Sequence, residues 1–397
     1  MQTKKKIIFL GSMMTPDDCQ LNPHCPFSAN RFQYELLKNL HEIGHFEFSA
    51  ICPRPLASFP KTKVLFSFPK RKSDIETQIE IFSPFFINFG ILKQASLIFS
   101  VSFALIRLFV KQKPTSLVLY NAYLGYSLPS LVFGKLFKVQ IIGIIADLPP
   151  RYSWSSPGFV RQIEAKLQRS ITMHFDKLLP FSHYIIDDLG YRKPYMLMSP
   201  PITFKDFGGT TFNNTGFRKR SLFFAGNLCE INGLKLLLEG FKLLDDKTIE
   251  LWISGRGDMQ KDVEIAAEED SRIHFFGFLN RKELLHLLNK SLVLINPRPS
   301  TLIEHRLNFP SKIIEYMAVG RPVISTVCSD IIDEYGKYIF LIEDETPEGF
   351  AKMIKKVFYI PTSELDSIGL RGREFILKNK TWGVIAPEVD RFITSGI

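Results

Sequence analysis

FPSKIIEYMAVGRPVIST, Phe309 to Thr326, decides how the chain is read. Pro310 favours the first turn of a helix, and Gly320 stops it before Arg321-Pro322 and the apolar Val323-Ile324 pair. A short helix running straight into a buried strand is one unit of an open α/β sheet. Lys312 and Glu315 lie three residues apart on that helix, with Ser311 at its start. The spacing alone fits two readings. One is a surface ion pair worth a few tenths of a kcal/mol. The other is a pair of ligand contacts at a helix N-terminus, where N–H groups and partial positive charge suit a phosphate.

The same grammar extends both ways from this stretch. SLFFAG, IELWISG, IHFFGFL, SLVLINP and YIFLIE read as strands separated by helices such as GLKLLLEGFKLL and RKELLHLLNK. Upstream, KKIIFLGS, FEFSAICP, TSLVLY, VQIIGIIAD and DKLLPFS alternate with helical segments, among them ANRFQYELLKNLHEI with Ser28 as its N-cap and Gly44 as its stop. Continuous apolar runs alternating with helices predict parallel sheets covered on both faces. Between the halves, SPPITFKDFGGTTFNNTGFRKR is rich in Pro, Gly, Asn and Thr and reads as a linker.

Composition narrows the function classes. The chain has 397 residues, long enough for two domains, and is 45% hydrophobic and 23% charged, which describes a globular protein. Residues 1–200 hold 24 Lys+Arg against 13 Asp+Glu, whereas residues 201–397 hold 26 against 27. The basic excess in the first half predicts an anionic partner. Nucleic acid is not favoured, because no interleaving of aromatic and basic residues marks a stacking groove. The five scattered cysteines fit a reducing compartment, and Cys19, His24 and Cys25 lack the second ligand pair that zinc needs. MQTKKKIIFLGSMM reads as a first strand, not a signal peptide. Gln94 to Gln112 is apolar on most faces and ends among Arg107, Lys111 and Lys113. It is either a buried domain helix or a helix lying on anionic lipid.

Polar or glycine-rich residues recur at the strand ends of the second half: Gly226-Asn227, Gly255-Arg256-Gly257-Asp258, Gly277-Phe278-Leu279-Asn280 and Pro297-Arg298. Ligands of open α/β sheets bind there. Taken in this order, the strand ends and FPSKIIEYMAVGRPVIST resemble the retaining, nucleotide-sugar-dependent glycosyltransferases of the GT-B fold, family 4. The resemblance is close over roughly residues 220–330. It implies two tandem Rossmann-like domains facing across a cleft, 1–203 for the acceptor and 204–375 for the donor, with a closing helix at 376–397 that packs back on the first.

The resemblance also implies roles. Glu315 would hold the ribose hydroxyls, Lys312 and Arg298 the diphosphate with Ser311, Gly226, Asn227 and Gly255 around it. Gly277, Phe278 and Leu279 would lie along the base. Gly11 and Ser12 would approach the diphosphate from the first domain, and Asp147 would stand near the reacting sugar. No metal or other cofactor is expected. The chain departs from the family at Leu307, where a first glutamate is usual, at Asn227 and Asn232, where cations are usual, and at Ala146, often histidine. The expected partners are a nucleotide-sugar donor, a saccharide or polyprenyl-linked acceptor, and a peripheral membrane contact. The expected setting is cell-surface polysaccharide assembly in the cytoplasm, on the inner face of the plasma membrane. Two alternatives are a non-catalytic scaffold of the same fold and a dinucleotide-dependent oxidoreductase. IIFLGSMMTPDD lacks the glycine pattern that the latter requires.

Overall fold

Every strand named above forms in the computed structural model, which describes residues 4–395 apart from 75, 78, 150–157, 204 and 206–218. Most of the expected linker therefore lies outside the described residues. The chain divides into Met1–Pro200 with Trp382–Ile397, and Pro201–Thr381. Its return to the first unit falls at Trp382 and not at 376, because residue 376 sits inside a continuous Thr362–Asn379 helix.

The first unit contains β1 (Lys5–Leu10), β2 (Phe46–Ile51), β3 (Phe66–Ser67), β4 (Lys70–Ser73), β5 (Glu80–Ser83), β6 (Phe86–Ile87), β7 (Ser116–Tyr120), β8 (Gln140–Ile145) and β9 (Lys177–Pro180). Seven of them form one sheet in the order β4-β5-β2-β1-β7-β8-β9, parallel except at the antiparallel edge strand β4. Strands β3 and β6 pair separately. In β1, Ile7 to Leu10 are all buried, the pattern of a strand covered on both faces.

The helix expected to follow an N-cap at Ser28 begins two residues earlier, at Phe27, with Pro26 at the N-cap position, because the Pro26 carbonyl already accepts the Asn30 N–H at 2.8 Å. Gly44 ends it with φ at 90°, a conformation that favours glycine. Trp382, buried with its ring 5.5 Å from that of Phe32, belongs to the core of this unit. Cys19 and Cys25 are joined by a disulfide, a correction to the reading of scattered reduced thiols. The turn at Asn22 brings them together: its N–H bonds to Cys19 and its carbonyl to Cys25.

The second unit contains β10 (Lys219–Asn227), β11 (Glu250–Arg256), β12 (Ile273–Phe275), β13 (Ser291–Asn296), β14 (Val323–Thr326) and β15 (Phe340–Ile342). They form one parallel sheet ordered β12-β11-β10-β13-β14-β15. Within the unit that is the third, second, first, fourth, fifth and sixth strand, the order of doubly wound dinucleotide-binding sheets. The order reverses between β10 and β13, which creates a switch point at their carboxyl ends. Leu222, Phe224, Ile253, Val293 and Ile295 fill the core beneath it.

Candidate functional site

Pairing between β10 and β13 ends at Phe223 and Leu294. Beyond it, the buried Tyr316 closes the gap: its hydroxyl accepts the Ala225 N–H at 3.1 Å and donates to the Ala225 carbonyl at 3.2 Å. This bond fixes the depth of the Ser311–Val319 helix over the sheet. Tyr316→Phe leaves that buried N–H and carbonyl unpaired, with an expected loss of about 1–3 kcal/mol, read as a lower urea midpoint at unchanged slope.

One turn before Tyr316, the Lys312 side chain reaches over the end of β10. Its ammonium lies 4.9 Å from the centre of the Phe224 ring. A Cβ built on Gly226 would stand 1.7 Å from Lys312 Nζ, so the missing side chain of Gly226 is the space that the lysine occupies. Lys312 makes no ion pair among the described residues, and burial together with the charge of Arg298 holds its pKa down to about 8. Burial and the same arginine hold His305 down to about 4. The buried imidazole is therefore neutral, and its Nδ1–H donates to the Pro299 carbonyl. His305 is a part of the site that the sequence did not reveal.

Glu315 does not pair with Lys312. Its Oε1 accepts from Arg281 Nη1 at 3.2 Å, across to the Arg281–Lys290 helix. Arg281 was also missed, although the start of its helix is legible: Asn280 and Glu283 form a reciprocal capping box. Of the first three N–H groups of the Ser311–Val319 helix, those of Ser311 and Ile313 already donate to Phe309 and Pro310. Attraction of an anion thus falls chiefly to the side chains of Lys312 and Arg298.

The neighbouring strand ends crowd together. Gly226 pairs in register with Gly255, whose φ is 148° and whose Cβ would meet the Gly226 carbonyl at 1.8 Å. The Gly277 carbonyl accepts from the Gly255 N–H and from Ser254 Oγ, each at 2.9 Å. Phe278 is exposed beneath the Arg256 guanidinium, 4.8 Å from its ring centre, and Leu279 follows. The amide of Asn232 donates to the Asn227 carbonyl at 3.0 Å, so these two residues close a loop and add no charge. Leu307 is a core side chain, 1% exposed. The structure thus brings Gly226, Gly255, Arg298, Ser311, Lys312 and Glu315 around one switch point, with Gly277 to Leu279 on the loop that follows β12.

In the first unit, Gly11 and Ser12 follow β1. The Ser12 N–H donates to Oε1 of the buried Gln33 at 2.9 Å, and a Cβ on Gly11 would fall 2.2 Å from that oxygen. Asp147 is exposed at the end of β8. Its backbone is held by the buried Asn121, whose Oδ1 accepts the N–H groups of Ala146 and Asp147 at 2.9 and 3.0 Å. Asn121 adopts φ of 57°, which asparagine tolerates better than most residues.

Residues 219–358 match the model of the family described as glycosyl transferases group 1. No curated protein matches the chain in sequence. Among solved structures, sucrose-phosphate synthase from Thermosynechococcus elongatus superposes with a TM-score of 0.71 at 13% identity, covering 98% of each chain. A glycosyltransferase from Rickettsia africae gives 0.71 at 13% identity, covering 100% of both chains. HepE of Anabaena, solved with UDP, gives 0.70 at 12% identity over 98% of this chain and 100% of its own. Segment 219–358 therefore matches a group 1 glycosyl transferase domain, and the chain as a whole has the GT-B fold.

Proposed function

We propose that the chain is a family 4 enzyme that moves a hexosyl group from a nucleoside-diphosphate sugar to a saccharide or polyprenyl-linked acceptor, with retention at the anomeric carbon. The observation that carries this reading is Lys312: an ammonium seated against Gly226 at the switch point, beside a second cation and without a carboxylate partner among the described residues. The Lys312 ammonium, held down by burial and by the charge of Arg298, is completed by a diphosphate. HepE of Anabaena, on the same fold, was solved with UDP and with UDP-glucose, which supports a nucleotide-sugar donor.

In the reaction proposed, the bond from the sugar C1 to the diphosphate oxygen breaks. The acceptor hydroxyl oxygen bonds to C1 on the same face, and its proton passes to the departing phosphate oxygen. Lys312 and Arg298 stabilise the charge that grows on that oxygen, so the reading requires no metal or other cofactor. Glu315 takes the ribose hydroxyls and the Gly277–Leu279 backbone the base. The setting is cell-surface polysaccharide assembly in the cytoplasm, at the inner face of the plasma membrane.

A thermal-shift panel of UDP-, GDP- and other nucleotide sugars tests the reading. One base class is expected to raise Tm by several degrees at about 100-fold excess over Kd, where mass action adds about 2.7 kcal/mol. The neutral residues at Asn227, Asn232 and Leu307 favour the non-catalytic scaffold as second reading. Absence of both binding and donor hydrolysis across the panel establishes that alternative.

A further inference from the structure

The Gly90–Gln112 helix of the first unit is apolar on two opposite faces. Leu97, Val101, Ala104, Leu105 and Phe109 are buried. Leu92, Phe99, Phe103, Ile106 and Val110 recur at intervals of three, four and seven along the other side and stand in the open, Phe99 at 79% and Val110 at 76% exposure. A helix apolar all round is normally covered all round. Phe109 stacks on Phe137 at 4.6 Å, where the adjoining Leu124–Leu136 helix ends with Val132 and Leu136 also exposed. Exposed apolar side chains thus stand on both of these packed helices. Patches of this kind mark interaction surfaces.

Charge identifies what covers it. Between Glu80 and Asp147 the sequence contains no acidic residue and no histidine; its charged residues there are Lys93, Arg107, Lys111, Lys113, Lys135 and Lys138. All but Lys93 are exposed. A second copy of the chain seated on this face would bring cations against cations. An anionic lipid surface matches both the apolar stripe and the basic rim. The helix is tied down along its inner side: Ser100 Oγ donates to the Phe85 carbonyl at 2.7 Å, Ser96 Oγ accepts the Ile87 N–H at 2.9 Å, and Lys93 Nζ donates to the Leu56 carbonyl at 2.8 Å. Spanning a bilayer would tear these bonds and the buried face out of the unit; lying on one disturbs neither.

We infer that the outward face of the Gly90–Gln112 helix, with the end of the Leu124–Leu136 helix, docks the protein on an anionic bilayer with the helix axis along the surface. This deepens the proposal of a membrane-bound acceptor, but its test needs no sugar donor. Full-length protein is sedimented with sucrose-loaded vesicles of phosphatidylcholine alone or with roughly one-third phosphatidylglycerol. Binding is expected to the anionic vesicles, weaker to the neutral ones and weaker at high salt. Phe99→Ser with Phe103→Ser removes two inserted rings and is expected to lower the partition constant more than tenfold. Arg107→Glu with Lys111→Glu is expected to lower it about as far on anionic vesicles only. All four positions are exposed, so the circular-dichroism melt of each variant stays that of the parent. Nucleotide-sugar thermal shifts also stay unchanged, which separates failure here from failure of the donor reading. The inference is overturned by absence of vesicle binding in the parent, by binding indifferent to Phe99 and Phe103, or by a dimer that the Phe99→Ser, Phe103→Ser pair dissolves while vesicles bind nothing.

Discussion

Lys312→Met is expected to make the free protein more stable while abolishing its response to nucleotide sugars. The folded protein holds Lys312 at about 8, against an ordinary value of 10.5, because its ammonium is buried beside Arg298. Between those two values the unfolded chain binds more protons than the folded one, so this group's contribution to stability rises with pH across that window. Below pH 8 the folded protein bears the full penalty of the charge, up to about 3 kcal/mol. Methionine keeps the length and removes the charge. Urea unfolding should therefore show the variant more stable at pH 7 by about 1–3 kcal/mol, with the gap closing as the pH approaches 10.5. A variant less stable than the parent at pH 7 contradicts this account of the site.

Function moves the other way. A bound diphosphate restores the charged form, so donor affinity in the parent protein is expected to weaken above pH 8 by about tenfold per unit, and in the variant to be weak and flat with pH. Calorimetric titration with the nucleoside diphosphate at pH 7 and 9 reads both. Charge on the departing oxygen grows in the transition state, so the variant loses kcat as well as affinity, about a thousandfold in kcat/KM.

The reason Lys312 behaves so was only half legible. Parallel strands buried on both faces are continuous apolar runs, and SLFFAG or VQIIGIIAD announces itself. The edge strand β4 reads KRKS, with no apolar pattern at all, and only its pairing with β5 defines it. The site divides along the same line. Glycines at strand ends and a Pro-Ser helix start are local features and could be read. Which way Lys312 turns depends on Gly226 of β10, and which cation faces Glu315 depends on Arg281 of a neighbouring helix. The apolar helix after Gly90 shows the limit most plainly. Composition makes it apolar on most faces, and only packing shows which of them is left uncovered.

Glu315→Ala is expected to raise the KM for the donor about 100-fold while leaving kcat nearly unchanged. Two ribose hydroxyls donating to a carboxylate are charge-assisted hydrogen bonds, and losing both costs about 3 kcal/mol. In the proposed reaction the ribose is remote from the bond that breaks and is held equally in ground and transition states, so the loss is expected in KM. Arg281 occupies one acceptor position on Oε1, and an ionised carboxylate offers about four. On the proposed reading the arginine therefore need not leave when the ribose arrives, and it orients the carboxylate that would receive it. Because the pair is about one-third exposed on each side, it adds under about 1 kcal/mol to stability. Arg281→Ala should accordingly melt with the parent protein yet raise KM severalfold. In the Glu315→Ala background the same change should do almost nothing, the non-additivity expected of residues that act through one another. An arginine that instead blocked the site would give the opposite sign, a lower KM on its removal. Steady-state kinetics on the two single variants and the double variant decide between orientation and obstruction.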